Sequence, residues 1–132
     1  MKRIKNLEKL LKNLNPVLNS EKYFIISYNT QIPGAIGLFK EKEGVTQYLE
    51  ENYVMKLNIK EKSKPYALIS LNNYSDLETI GFLANISNVL AKQGISINVV
   101  SAYYHDHLFV PWERREETLH ILKNFSEFIK KK

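Results

Sequence analysis

The chain contains no cysteine, which excludes disulfides and thiolate metal sites. That absence suits a reducing compartment, and the cytoplasm is the expected location. Long apolar runs are missing as well. The opening MKRIKNLEKLLKNLNP is basic, with neither a long hydrophobic stretch nor a small-residue cleavage site, so it predicts no signal peptide and no membrane span. There is no G-x-S-x-G, no phosphate-cradling GxxxxGK loop, no dinucleotide glycine motif and no thiol nucleophile. Serine, histidine and aspartate occur, but no spacing among them singles out a triad. The expectation is a protein that is not an enzyme and needs no cofactor.

A concentrated basic stripe is absent too. The net charge is +5, yet much of the excess lies at the ends, in Lys2, Arg3 and Lys5 and in Lys130, Lys131 and Lys132. Tails of this kind are solvated, whereas a nucleic-acid surface interleaves basic and aromatic residues on one element. Here the tyrosines are mostly embedded in strand patterns, so no nucleic-acid partner is expected.

What is present is enough for a core, since 132 residues at 44% hydrophobic content suit one compact unit of ordinary domain size. The most informative segment is residues 81–111, GFLANISNVLAKQGISINVVSAYYHDHLFVP. Phe82, Leu83, Ile86, Val89 and Leu90 recur at three- and four-residue intervals, which predicts one stripe of a helix over about 79–93. Gly94 supplies a left-handed stop. From Ile95 the period changes to two, with Ile95, Ile97 and Val99 on one face and Ser96, Asn98 and Ala102 on the other, which predicts a strand over 95–103. A strand over 107–110 and a helix over 113–129, its buried face made by Leu122, Phe125, Phe128 and Ile129, complete this half.

Upstream, Leu7, Leu10, Leu11 and Leu14 predict an amphipathic helix that Pro16 stops. Residues 23–28 read as a buried strand, 35–39 and 45–49 as two further strands, and 50–55 as a short helix. The polar, proline-ended stretch NIKEKSKP at 58–65 is the expected linker before a strand over 66–71. The second half therefore reads β-α-β-β-α and lacks a final strand.

The motifs Gly81-Phe82-Leu83-Ala84 and Gly94-Ile95-Ser96-Ile97, which bracket a helix of about three turns, resemble the ACT domain, the small-ligand-binding regulatory module of amino-acid metabolism. The flanking patterns Ser75-x-Leu77-Glu78-x-x-Gly81 and Tyr104-His105-Asp106-His107-Leu108-Phe109-Val110-Pro111 are similar to a narrower group, bacterial stand-alone ACT-domain proteins akin to the animal cytosolic arginine sensor CASTOR. That group's E-E-G-x-T segment is matched by Lys42-Glu43-Gly44-Val45-Thr46, with lysine at the first acidic position and Gly44 as a turn glycine. The resemblance implies an α+β fold with a ferredoxin-like antiparallel sheet, βαββα plus a strand contributed by the N-terminal half. It implies two interlocked ACT-like halves, a degenerate one over 1–60 and an ACT domain over 65–132.

Such folds bind small molecules where the loop after the first strand meets the following helix. Here that loop is Asn73, Tyr74, Ser75, Asp76, Leu77 and Glu78, leading through Ile80 to Gly81. A helix start offers unpaired N–H groups and a positive dipole end to a carboxylate, Gly81 lets a ligand approach the backbone, and Asp76 or Glu78 suits an α-ammonium group. Against this, Ser75 and Glu78 have the spacing of a capping box. Asn98 and Ser101 on the next strand are further candidates, the first equally suited to pairing with a neighbouring subunit.

His105 and His107 point to one strand face and are the only candidate metal ligands, with Asp106 as an added oxygen ligand, but no further ligand is spaced to complete a site. A hydrogen-bonded hairpin with Asp106 in its turn is the competing reading. The expected function is a non-catalytic regulatory or sensor protein that binds a small molecule, an amino acid on the resemblance, and acts as a homo-oligomer. The rivals are a metal-dependent enzyme built on His105-Asp106-His107 and an assembly module with a vestigial pocket.

Overall fold

The computed structural model describes residues 6–73 and 79–129. Its element order is α1 (Leu7–Lys12), β1 (Pro16–Tyr28), β2 (Gly37–Lys40), β3 (Val45–Glu50), α2 (Glu51–Leu57), β4 (Tyr66–Leu71), α3 (Phe82–Lys92), β5 (Asn98–Ser101), β6 (Asp106–Pro111), a 3-10 turn (Trp112–Arg114), α4 (Arg115–Lys123) and α5 (Phe125–Ile129). The strands form an antiparallel sheet in the order β2-β3-β1-β4-β6-β5. β4 thus has β1 as its neighbour, and the strand missing from the second half comes from the N-terminal part of the same chain. This is the strand expected from the N-terminal half.

The chain divides into two compact units, residues 1–19 with 68–132 and residues 20–67. In the first, α1 lies against α3 and α5. Ala67, Ile69 and Leu71 of β4 and Leu108 and Val110 of β6 are buried on one face, and on the other Leu68 and Phe109 are buried as well while Ser70 and His107 are only half-buried, so the second face is covered over part of its length. Helical periodicity supplies the matching stripe, with Phe82, Ile86 and Leu90 buried on α3.

The end of α3 explains why β5 is shorter than its alternation predicts. Gly94 N–H bonds Ala91 O at 2.9 Å and Ile95 N–H bonds Leu90 O at 3.0 Å, the two bonds of a Schellman stop. Ile95 is buried as the apolar half of that stop and is not part of the strand. The expected turn residue also moves. Ala102 N–H bonds His105 O at 3.0 Å, so Tyr103 and Tyr104 form the hairpin tip and Asp106 is already paired with Ser101. The predicted final helix is broken at Asn124, whose side chain and backbone both donate to His120 O, a local bond that competes with continuation of the helix.

In the second unit β3 is paired on both sides, with β1 (Tyr23↔Glu50 through Tyr28↔Val45) and with β2 (Gly37↔Tyr48 through Lys40↔Val45). Phe24, Ile26, Ile32, Leu49, Val54 and Ile59 form its core. Gly44 closes the β2–β3 hairpin at φ +155°, and a Cβ there would sit 3.0 Å from Tyr28 O, so the turn reading of this glycine holds. The stretch expected as a linker is structural. Ile59 is buried, Lys62 bridges to Ile26, Ser27 N–H bonds Glu61 O at 3.2 Å, and Ser63 N–H bonds Ile25 O at 2.9 Å. Its polar side chains face outward while its backbone extends the sheet, which composition alone does not distinguish from a loop. The second unit therefore runs β2-β3-β1-(61–63), the same order as β5-β6-β4-β1 in the first.

Candidate functional site

Asn73 lies just beyond β4 and is buried at 7% exposure. Its Oδ1 accepts from Asn15 N–H at 3.0 Å and its Nδ2 donates to Asn13 O at 2.7 Å, while Asn72 N–H bonds Asn15 O at 2.9 Å. The end of β4 is thereby tied to the connection between α1 and β1. On its other side, His105 Nδ1 lies 3.3 Å from Asn73 O. The amide is held by backbone partners, a role that sequence reasoning did not assign to it.

Tyr74, Ser75, Asp76, Leu77 and Glu78 lie outside the described residues. The chain is described again at Thr79. Ile80 is 89% exposed, and Gly81 takes φ +88°, ψ −4° as the N-cap of α3. A Cβ at Gly81 would meet Leu7 Cδ2 at an ordinary 3.4 Å, so it is the left-handed backbone and not crowding that requires glycine. Because the cap is Gly81, α3 starts later than the pattern predicts. It has no side-chain cap and no acid in its first turn. Asn85 instead folds back, its N–H and Nδ2 both donating to Gly81 O at 3.0 and 2.7 Å.

Thr79 is the residue the sequence reading missed. Its Oγ1 is buried and has no hydrogen-bond partner among the described residues. Such atoms are rare because each forfeits its bonds to water. A threonine before a helix reads as an ordinary capping residue, so no sequence signal set it apart.

Asn98 and Ser101 do not share a face of the sheet. Asn98 pairs with Phe109 and Ser101 with Asp106, and residues three apart on a strand face opposite sides of the sheet. Both are exposed on β5, the last strand in the sheet order.

His105 and His107 do share a face, with ring centroids 6.5 Å apart. Each presents Nδ1 to a protein group, His107 to Ser70 Oγ at 2.7 Å and His105 to Asn73 O. Burial pushes the His107 pKa below the usual imidazole value, the nearby His105 lowers it further and Asp106 opposes them. Among the described residues no group of three or more His, Cys, Asp or Glu is placed to hold a metal ion. No helix there is long and apolar enough to cross a membrane.

The chain is 34% identical to a Vibrio cholerae protein of unknown function described as a possible transport protein, over 93% of this chain and 95% of that one, with a TM-score of 0.80. It is 18% identical to an Agrobacterium tumefaciens protein (84% and 87% covered, TM-score 0.70) and 12% identical to the ligand-free regulatory subunit of aspartate kinase from Thermus thermophilus (83% and 94%, TM-score 0.61). At such identities the last two show the fold alone. No curated protein matches the chain. ACT-domain profiles match twice in succession, over residues 3–65 and over residues 62–124. Two adjoining matches, laid over a strand order that repeats from one unit to the next, make this chain a member of the ACT-domain family built from two ACT-like halves.

Proposed function

We propose that the protein is a non-catalytic sensor that binds an amino acid at the start of α3 and passes on its occupancy through a second copy or a partner. A regulatory, small-ligand-binding role is what the family and its aspartate-kinase regulatory neighbours support. The observation that carries the finer reading is the buried Thr79 hydroxyl, without a partner among the described residues, beside a helix start that has no side-chain cap. The first-turn N–H groups and the positive dipole end favour a carboxylate, Thr79 Oγ1 gains the bond it lacks, and exposed Ile80 covers the ligand body. Within the same loop of the sequence, Asp76 and Glu78 suit the ammonium group.

A thermal-shift screen against the twenty amino acids tests this. A ligand at a hundred times its dissociation constant adds about 2.7 kcal/mol, several degrees in Tm. Thr79→Val should weaken that shift at least tenfold in ligand concentration while leaving the unliganded Tm unchanged or slightly raised, since an unsatisfied hydroxyl has been removed. An amino-acid screen with no shift, or a Thr79→Val protein that binds normally, would sink the reading. Light scattering checks the assembly part, for which a monomer at micromolar concentration is the contrary result.

A further inference from the structure

α3 and α5 bound a cleft of about 440 Å³, within the usual size of small-molecule sites, that runs from Asn85 in the second turn of α3 to Gln93 at its end. We propose that this cleft is a second ligand site, for a small monocarboxylate that has a branched or aromatic apolar body and no ammonium group. Val89, Phe128 and Ile129, each half-buried, supply an apolar wall, and α3 adds Asn88, Lys92 and Gln93. Among the described residues no acidic side chain lines the cleft and Lys92 has no ion-pair partner. An anion therefore finds a cation and amide donors there, whereas an α-ammonium group finds no carboxylate.

One feature of the helix would oppose an anion here, because Lys92 and Gln93 sit at the negative end of the α3 dipole. Arg114 covers that end, its guanidinium donating to Gln93 O at 3.0 Å and to Gly94 O at 3.3 Å. Arg114 is itself paired with Glu117 at 2.8 Å, so Lys92 is the cation at that end with no ion-pair partner among the described residues. Asn85 borders both this cleft and the α3 start, and the absence of an acid among the described lining residues is what separates the ligand expected here from the amino acid proposed there.

The probe is 4-methyl-2-oxopentanoate, with leucine as the control of equal carbon skeleton, each titrated into the isotope-labelled full chain and followed by amide resonances. The oxo acid should move the Asn88, Val89, Lys92 and Phe128 amides saturably, and leucine should not. Lys92→Gln, an exchange at an exposed position, should raise the dissociation constant at least tenfold with the rest of the spectrum unchanged. No saturable shift at millimolar concentration, equal binding of leucine, or binding indifferent to Lys92→Gln overturns the proposal.

Discussion

At the scale of single residues, buried polar side chains matter more here than their number suggests. Gln47 on β3 is fully buried, accepts from Ile32 N–H at 2.7 Å through Oε1 and donates to Thr30 O at 2.7 Å through Nε2. It therefore fixes the loop that leads from β1 to β2. Gln47→Leu leaves both backbone groups without that partner and should cost about 2–3 kcal/mol, read as a lower urea midpoint at unchanged slope. A shift within error would mean that the loop finds other partners. His107 gives a pH prediction whose sign follows from burial. Its folded pKa lies below the unfolded value of about 6.5, so below that pH the unfolded chain binds more protons. The His107 contribution is complete above about pH 6.5 and is lost as the pH falls toward its folded pKa. Urea midpoints between pH 5 and 8 should show the decline, and His107→Gln should flatten it. Neither role was legible as such, because nothing in the strand pattern marks Gln47 as buried, and the hairpin expected around His105 and His107 named no partner for His107.

At the scale of elements, most of the pattern was legible wherever one local rule acted alone. The first helix ends at Lys12 with Asn13 as its C-cap, earlier than the expected stop at Pro16, which opens β1 instead, whereas the β4 bounds agree to the residue and Gly94 stops α3. The misplacements have local causes: Ile95 closes a helix instead of opening a strand, and Asn124 interrupts a helix through its own side chain. Residues 58–65 do connect α2 to β4, but their main-chain pairing with β1 was not legible, because it leaves no mark on side-chain polarity. Asn73 couples elements more than fifty residues apart, which no local pattern reports. Asn73→Ala removes the acceptor for Asn15 N–H and the donor to Asn13 O, and should cost about 1–3 kcal/mol. Amide exchange at Asn15 should quicken with it. If stability is unchanged and only ligand binding suffers, the side chain serves the ligand and not the junction.

At the scale of the whole molecule, the doubled fold could be expected from the resemblance, but its wiring needed the structure. The second ACT match covers residues 62–124, whereas the compact unit around those strands also takes in residues 1–19. Those first residues supply α1, with Leu10 and Leu11 buried, and the start of the strand beside β4. Burying two leucines is worth about 3–6 kcal/mol, a large share of the 5–15 kcal/mol typical of a folded domain, and β4 would further lose a strand neighbour. A fragment of residues 62–132 should therefore show no cooperative thermal transition, although it contains one complete family match. The same fragment co-expressed with residues 1–61 should recover a two-state melt, because the interlocked strands need not be covalently continuous to pair. A fragment that melts cooperatively by itself would mean that the β4-α3-β5-β6 arrangement is self-sufficient, and that β1 adds an edge to the sheet without completing its core.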